Sequence, residues 1–273
     1  TMRRWIRFAR SVAKLLYGTE AGAVMHSGRS NPQQLLIAPH TRETLRHIVA
    51  EMRRVHREKF GHDDDLYIGI QLTHSGRYSH PNKADVLESK TAYAHPLLDK
   101  KFHNSQANVV SDQEVEEIIR HFISAAKVAQ EAGFDFVDIK HAHGYLGHEF
   151  LTAYDRPGKY GGSFENRTRF FREIAEGIQK NVPGLDISAR VSLFDIFPFI
   201  KGADGVGHPM EWPEGTRYAF GGDGTGMDMD PDLKETVQFI DMLKSCGVGM
   251  ICATIGSPYY NVHMQRPAYY RER

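Results

Sequence analysis

Four short segments of the sequence concentrate amide, charged, titratable and glycine residues. Each lies in or just after a run that is typical of a β-strand. They are Gln71–Arg77, Asp138–Leu146, Arg156–Arg167 and Ser188–Ser192. Charged and titratable side chains that crowd the end of a strand are typical of an active site. These segments are therefore the first candidates for catalysis or binding.

The second of these segments carries the most varied chemistry. Lys140, His141, His143 and Tyr145 fall within six residues, and such side chains can hold or move protons. Two other interpretations stay open. The segment could be a solvated loop, or His141 and His143 could hold a metal ion with His148 as a third ligand. A metal-dependent TIM-barrel hydrolase is therefore one functional hypothesis.

Gln71 and Arg190 are candidates to bind a planar cofactor. The amide of Gln71 can donate a hydrogen bond to a heterocycle edge and accept one from it, although a merely polar strand end would look the same. Arg190 lies within an apolar strand, where a buried charge is costly without an anionic partner. That partner could be an electron-rich cofactor or a carboxylate of the protein. The glycine-rich segment Arg156–Arg167 is predicted to be mainly structural, as a loop that holds the active-site segment.

Helices and short β-rich runs alternate along the chain. Apolar periodicity predicts helices at about 2–16, 41–60, 111–132 and 164–181, with a Ser111–Glu114 capping box and with Gly61 and Gly133 as helix ends. Asp230 is predicted to cap a further helix, whose inward-facing residues include Val237 and Leu243. Strands are predicted at about 15–19, 66–72, 134–139, 185–193 and 248–254. The connections 73–110 and 196–229 are predicted to be long and irregular. A repeated β–α order predicts a parallel sheet.

This α/β order is compatible with a barrel or with an open doubly wound sheet. No Gly-x-Gly-x-x-Gly pattern follows an early strand, which argues against a dinucleotide-binding Rossmann domain. Long polar connections after strands favour a TIM barrel, whose sites lie at the carboxyl ends of its strands. The sequence predicts a single domain over residues 1–273 of the TIM (β/α)8-barrel type, with about five strands. Because the chain opens with a helix and closes just after a strand, we expect an incomplete barrel.

The composition is that of an ordinary globular protein and argues against several classes of partner. Lys plus Arg and Asp plus Glu both number 34, so neither nucleic acid nor a membrane surface is an expected partner. No apolar run approaches the length of a membrane span. The two cysteines, Cys246 and Cys252, are too few for a disulfide framework or an iron–sulfur cluster, and a reducing cytoplasm fits. The basic N-terminal residues could alternatively form a transit peptide.

In this order, the segments resemble the old yellow enzyme family of NADH:flavin oxidoreductases, which includes 2,4-dienoyl-CoA reductase-like proteins. The resemblance extends from about Leu16 to the C-terminus. It depends on Gln-Leu-x-His-x-Gly-Arg at 71–77, His-Gly-Tyr-Leu at 143–146 with Glu-Phe-Leu at 149–151, Tyr-Gly-Gly-Ser-x-Glu-Asn-Arg at 160–167, Arg190, and Ile-Gly-Ser-Pro-Tyr at 255–259. The resemblance implies a TIM barrel that binds FMN and uses NADH or NADPH.

The resemblance also implies an activity and roles for individual residues. Hydride from NADH or NADPH would pass through FMN to the β-carbon of a small molecule with an activated alkene. Gln71 would bind the pyrimidine edge of the flavin, Arg190 would lie near flavin N1, where negative charge develops on reduction, and Ala21 would lie close to the ring. Tyr145 matches the tyrosine proposed to protonate the substrate α-carbon. His143 matches the second member of the His-x-x-His or His-x-x-Asn pair that hydrogen-bonds the substrate carbonyl.

The sequence departs from the family pattern in two places. The first member of the substrate-binding pair falls on Lys140, whose charge could polarise a carbonyl or bind a carboxylate, so the substrates could differ from simple enones. The family's first strand and its last two have no counterpart, and the last two normally bind the FMN phosphate. We therefore expect a truncated chain with two open sheet edges. Such a chain could associate into a homo-oligomer, or it could be a non-catalytic remnant.

Overall fold

The computed structural model describes residues 2–104, 108–211, 214–222, 224–226 and 232–261 of the chain. Its helices are α1 Met2–Ala9, α2 Arg42–Phe60, α3 Pro96–Lys101, α4 Asp112–Ala132, α5 Leu146–Leu151, α6 Phe164–Asn181 and α7 Lys234–Ser245. Its strands are β1 Leu15–Leu16, β2 Ala21–Ala23, β3 Tyr67–Thr73, β4 Lys90–Thr91, β5 Asn108–Val109, β6 Phe136–His141, β7 Asp186–Ser192, β8 Phe199–Lys201, β9 Gly207–Pro209 and β10 Val248–Thr254.

The main sheet is parallel and has five strand positions. β1 and β2 both pair with β3, and β6, β7 and β10 follow in that order. The helices α2, α4, α6 and α7 connect consecutive positions and pack against one another in the same order. Parallel strands that alternate with helices in this way are the construction of a TIM barrel. The described sheet follows part of that α/β barrel, which confirms the predicted fold class.

Local sequence signals set the ends of the long helices. At the start of α4, the Ser111 hydroxyl accepts a hydrogen bond from the Glu114 amide at 3.2 Å, and the Glu114 carboxylate accepts one from the Ser111 amide at 2.8 Å. This reciprocal pair satisfies two amides near the helix start. Gly61 and Gly133 follow α2 and α4 with φ values of 86° and 94°, which a residue without Cβ adopts readily. These predicted signals are confirmed, while the predicted cap Asp230 lies outside the described residues.

The apolar core lies between the sheet and the helices. The helices contribute buried residues along their inward faces, among them Leu45, Val49, Met52, Val115, Ile118, Phe122, Phe170, Phe171, Ile174 and Phe239. Trp5 of α1 is fully buried and packs against Phe134, with ring centroids 6.1 Å apart. The N-terminal helix is therefore part of this core. Within the described ranges, no helix has the length and apolarity needed to cross a bilayer.

The structure differs from the sequence prediction at the first helix, at α7 and in both long connections. The first helix ends at Ala9 rather than near residue 16. In α7, Phe239 is buried, whereas Val237, which was predicted to face inward, is 55% exposed. Among the described residues, α7 packs beside β10 at one edge of the sheet and has α6 as its neighbouring helix. The connection 73–110, predicted to be irregular, contains α3 and the paired strands β4 and β5. The connection 196–229, also predicted to be irregular, contains the paired strands β8 and β9.

The longest connections follow the carboxyl ends of main-sheet strands. Residues 24–41 follow β2, 74–111 follow β3, 142–163 follow β6 and 193–233 follow β7. In a parallel sheet these ends share one edge. The four connections therefore gather at that edge, where the sequence predicts the site.

Candidate functional site

One side of the main sheet, which we call the inner face, carries polar residues that the sequence singled out. Side-chain alternation sends Gln71 of β3, Lys140 of β6 and Arg190 of β7 to this side. The Gln71 amide nitrogen donates to Asp138 Oδ2 at 2.7 Å, and the Ser188 hydroxyl donates to Asp138 Oδ1 at 3.2 Å. Lys140 lies opposite Arg190 in the register of β6 and β7. Three neighbouring strands thus bring the predicted residues together.

The inner face lines a cavity of about 560 Å³. Its wall includes Gln71, Arg190, Leu15 of β1 and Cys252 of β10. Leu15 and Cys252 belong to opposite edges of the sheet, so the sheet curves around this space. An adjoining cavity of about 510 Å³ shares Gln71 and Arg190 and reaches Ala21. Both volumes are in the range of sites that bind small molecules and cofactors.

Arg190 presents unsatisfied hydrogen-bonding capacity to this region. Its Nε atom is buried and has no hydrogen-bond partner among the described residues. Asp138 is near enough for the positive charge to act on it, but burial raises the pKa of Asp138 overall, and Gln71, Ser188 and Tyr17 also bond to its carboxyl group. A partly buried cation with a buried, unpaired donor atom suits an anionic or electron-rich ligand.

Lys140 and Tyr145 are in contact at the end of β6. The Lys140 ammonium nitrogen lies 3.5 Å from the centroid of the Tyr145 ring, within the range of a cation–π interaction. Burial, with a further contribution from the charge of Arg190, lowers the pKa of Lys140 to about 7. Burial also raises the pKa of Tyr145 above its ordinary value, and the neighbouring Tyr259 adds to this effect. At neutral pH, Tyr145 therefore keeps its proton, while Lys140 is close to half-protonated.

A tight turn delivers Tyr145 to the start of α5. His143 and Gly144 both adopt positive φ values, of 67° and 71°. For a residue with a side chain this conformation costs about 1–2 kcal/mol, so the surrounding contacts must hold His143 in place. The His143 amide donates to Ser192 Oγ at 3.5 Å, and its carbonyl accepts from Ser257 Oγ at 3.0 Å. The turn thus fixes His143 and Tyr145 beside the ends of β7 and β10.

The structure gives no support to a metal site at His141 and His143. His141 points to the outer side of the sheet, where its ring centroid lies 4.9 Å from that of Phe171. His148, the third candidate ligand, lies with Nε2 2.8 Å from Asp195 Oδ2, and both side chains are buried. Within the described ranges, the group of side chains that meets metal-ligand spacing is at the surface and comprises His62, Asp64 and Asp65.

Comparison with known proteins decides the family. The sequence profile of the NADH:flavin oxidoreductase / NADH oxidase family matches residues 14–212, which include all four predicted segments. The chain belongs to this family. The family predicted from the sequence motifs is therefore confirmed.

Curated relatives of this flavin oxidoreductase family member match it over part of their length. The chain is 34% identical over 196 residues to a NADH:flavin oxidoreductase of Gibberella zeae. This match covers 66% of this chain and 45% of the relative. It is 39% identical over 143 residues to a NADPH dehydrogenase of Bacillus subtilis, covering 52% and 39% of the two chains. The chain thus spans less than half the length of these relatives.

Solved structures with the same fold include an old yellow enzyme and a reductase. The old yellow enzyme of a Pichia species has a TM-score of 0.64 and 22% identity, over 96% of this chain and 63% of that chain. A 2-naphthoyl-CoA reductase complex has a TM-score of 0.65 and 19% identity, over 94% of this chain and 35% of that chain. At these identities the likeness establishes the shared fold.

In this member of the flavin oxidoreductase family, a buried ion-pair network joins two of the motif segments. Arg77 is fully buried; its Nε donates to Glu149 Oε1 at 2.6 Å, and another of its nitrogens contacts Asp99. Gly76 approaches α5 so closely that a Cβ would lie 2.7 Å from the Leu146 amide nitrogen. The connection after β3 is therefore held against α5 by an ion pair and by close packing. Tyr145 immediately precedes this helix.

The glycine-rich segment 156–167, which leads into α6, makes contacts with neighbouring helices. Arg156 is buried and donates to Asp112 Oδ1 at 2.8 Å. Arg167 donates to the Leu151 carbonyl at the end of α5 at 2.6 Å and to Glu235 of α7 at 2.6 Å. These bonds tie the connection after α5 to α4, and they tie the start of α6 to α5 and α7.

The sequence analysis gave no individual role to two residues of the candidate site, Asp138 and Tyr259, although both lie in segments that it singled out. Asp138, which orients Gln71, lies two residues before Lys140 on the same face of β6, so strand alternation alone could have found it. Tyr259, whose hydroxyl lies 2.9 Å from that of Tyr145, is 114 residues away along the chain. No local pattern could reveal that contact.

Proposed function

We propose that this protein is an FMN-dependent NAD(P)H oxidoreductase that reduces an activated carbon–carbon double bond. The observation that carries the proposal is the convergence of two pairs of residues on the inner face. Gln71 and Arg190 share the wall of one cavity. Lys140 and Tyr145 are in contact beside them, with Lys140 opposite Arg190. A flat redox cofactor and its substrate need such groups within reach of one another.

The residues on the inner face suit the ring system of a flavin. Because Gln71 donates through its amide nitrogen to Asp138, its carbonyl oxygen remains to accept a hydrogen bond from a ring N–H. Arg190 offers a buried unpaired donor and a positive charge, which suit the side of the ring where negative charge develops on reduction. Ala21, opposite Gln71 in the register of β2 and β3, has a side chain small enough for close approach of a ring. When bound, FMN supplies hydride transfer between NADH or NADPH and an activated alkene.

Lys140 and His143 are suited to bind the substrate carbonyl or carboxylate. Lys140 can donate a hydrogen bond in either protonation state, and its protonated form also attracts electron density from a conjugated alkene. Because burial lowers the pKa of Lys140 to about 7, this polarisation is strongest below about pH 7. Tyr145, which retains its proton, is the group that protonates the substrate α-carbon.

A visible absorption spectrum tests the cofactor assignment. We expect the purified chain, incubated with FMN and desalted, to keep a bound flavin with perturbed visible bands. If the chain retains no flavin under any loading condition, the proposed activity is wrong for this chain, and a non-catalytic remnant becomes the better interpretation.

The substitution Tyr145→Phe tests the proton donor. We expect alkene reduction to slow by about 100-fold or more, since that is the usual contribution of a general acid, while flavin reduction by NADPH stays close to the wild-type rate. A matched control is Tyr160→Phe, which removes a tyrosine hydroxyl that bonds to Glu173, away from the inner face. Equal loss of both half-reactions in Tyr145→Phe would remove Tyr145 from this role.

A further inference from the structure

Three tyrosines form a contiguous group at the site, which we call the tyrosine cluster: Tyr78, Tyr145 and Tyr259. The hydroxyl oxygens of Tyr145 and Tyr259 are 2.9 Å apart, a hydrogen-bond distance. The ring of Tyr259 stacks on that of Tyr78 with centroids 3.9 Å apart and planes 12° apart. The stacking contact and the hydrogen bond together place the Tyr259 hydroxyl beside that of Tyr145.

The two bonded hydroxyls belong to side chains with different access to solvent. Tyr145 is 7% exposed, whereas Tyr259 is 38% exposed. A buried general acid that has given up its proton must regain one before the next turnover. Because Tyr259 is hydrogen-bonded to Tyr145 and is the more exposed residue of the pair, it is a candidate route for that proton.

We propose that Tyr259 relays protons from solvent to Tyr145 between turnovers. The proposal rests on the proposed function, in which Tyr145 protonates the substrate α-carbon. Tyr259 does not need to touch the substrate, so it is a relay and positioning residue.

The relay consists of proton transfers only. After Tyr145 has given its proton to the substrate carbon, its oxygen is a phenolate. The O–H bond of Tyr259 breaks and a new O–H bond forms on Tyr145. The phenolate left on Tyr259 then takes a proton from water at the surface. Both tyrosines end as phenols, and no electrons are gained or lost.

Other polar groups around Tyr145 are less suited to this task. The Lys140 ammonium lies over the ring of Tyr145, 3.5 Å from its centroid, and Lys140 is itself buried. Hydrogen bonds from Ser75 and Ser30 act to lower the pKa of Tyr145, against the larger effect of burial. Ser75 is fully buried, whereas Ser30 is partly exposed, so Ser30 is the competing route.

The substitution Tyr259→Phe tests the relay, because it removes the hydroxyl and keeps the ring that stacks on Tyr78. Reduced, FMN-loaded protein is mixed with an activated alkene, and the first turnover is compared with the steady-state rate in H2O and in D2O. Tyr145 enters the first turnover with its own proton, so we expect that turnover to match the wild type. Later turnovers should slow by at least about tenfold, with an increased solvent isotope effect.

Other results would overturn the relay. An unchanged steady-state rate in Tyr259→Phe, or a steady-state loss in Ser30→Ala instead, shows that protons take another route. A first turnover slowed as much as later ones shows that Tyr259 only positions Tyr145. Failure of the proposed function is distinguishable, because Tyr145→Phe would then have a normal first turnover.

A second measurement needs no flavin. In the full chain labelled with [13Cζ]tyrosine, we expect Tyr259→Phe to shift the NMR resonance of Tyr145, since the phenol carbon reports its hydrogen bond. The control Tyr160→Phe should leave that resonance in place. If Tyr259→Phe also leaves it in place, the two hydroxyls do not interact and the inference is wrong.

Discussion

Replacement of Lys140 by methionine tests whether a lysine is held in a buried, cationic environment at the site. Lys140 is 7% exposed, lies against the Tyr145 ring and is opposite Arg190 on the next strand. Methionine keeps an unbranched side chain over the ring and removes the amine. The substitution therefore separates the cost of the buried charge from the packing of the side chain.

The pKa of Lys140 sets the size of the effect. Its fall from 10.5 to about 7 corresponds to about 5 kcal/mol of unfavourable free energy for the charged form in the folded state. Between pH 7 and about 10.5, the unfolded chain holds this proton and the folded chain does not. The free energy of unfolding of the wild type should therefore rise with pH across this window, by up to about 5 kcal/mol. Below pH 7 that gain is lost, because both states are protonated.

Urea unfolding at several pH values measures the effect. At pH 6 we expect Lys140→Met to be more stable than the wild type by up to about 5 kcal/mol, and at pH 10 by about 1 kcal/mol. Lys83→Met, at an exposed lysine, is the control and should follow the wild type at every pH. A difference between Lys140→Met and wild type that is the same at pH 6 and pH 10 would refute the reasoning.

Three further substitutions test contacts around the site. Glu149→Gln should lower the free energy of unfolding by about 3 kcal/mol in a urea titration, because it leaves the buried Arg77 with only Asp99 as an anionic partner. Gly147→Ala should lower it by about 1–3 kcal/mol, since a Cβ there would lie 2.7 Å from the His141 ring. Burial, aided by His148, lowers the pKa of His141 to about 3, so the folded state loses stability as the pH falls from about 6.5 towards 3. In the wild type, this effect should cost about 2 kcal/mol of unfolding free energy at pH 5. His141→Leu should not show that cost, as measured by thermal unfolding at pH 5 and pH 7.

Each of these substitutions has an outcome that would count against its contact. Wild-type stability in Glu149→Gln would mean that the Arg77 network does not hold the connection after β3. An unchanged free energy of unfolding in Gly147→Ala would mean that α5 lies farther from the His141 ring of β6. If His141→Leu loses as much stability between pH 7 and pH 5 as the wild type, His141 is not buried beside Phe171.

The parts of the fold that the sequence could predict depend on neighbouring residues. The Ser111–Glu114 capping box, the glycine ends of α2 and α4, and the order of strands and helices need only a few residues of context. The sequence could also place Gln71, Lys140 and Arg190 at strand positions, from which alternation puts them on one face.

What the sequence could not predict depends on contacts between distant residues. Arg77 and Glu149 are 72 residues apart, and their ion pair is what orders a connection that is polar and without periodicity. The inward face of α7 was mispredicted at Val237 because an amphipathic pattern does not show how much of a helix its neighbours cover. The Tyr145–Tyr259 contact forms only when the segment after β10 folds back over the turn that follows β6.

Binding of riboflavin tests most directly whether Gln71 and Arg190 form a site for a flavin ring. Riboflavin carries the ring without the phosphate, so its fluorescence titration isolates the inner face. We expect saturable quenching with the wild type and with Tyr160→Phe, and at least about tenfold weaker binding with Gln71→Leu and with Arg190→Leu. Equal affinity in wild type and Arg190→Leu, or no binding to the wild type at all, would contradict the assignment of the inner face as the flavin site.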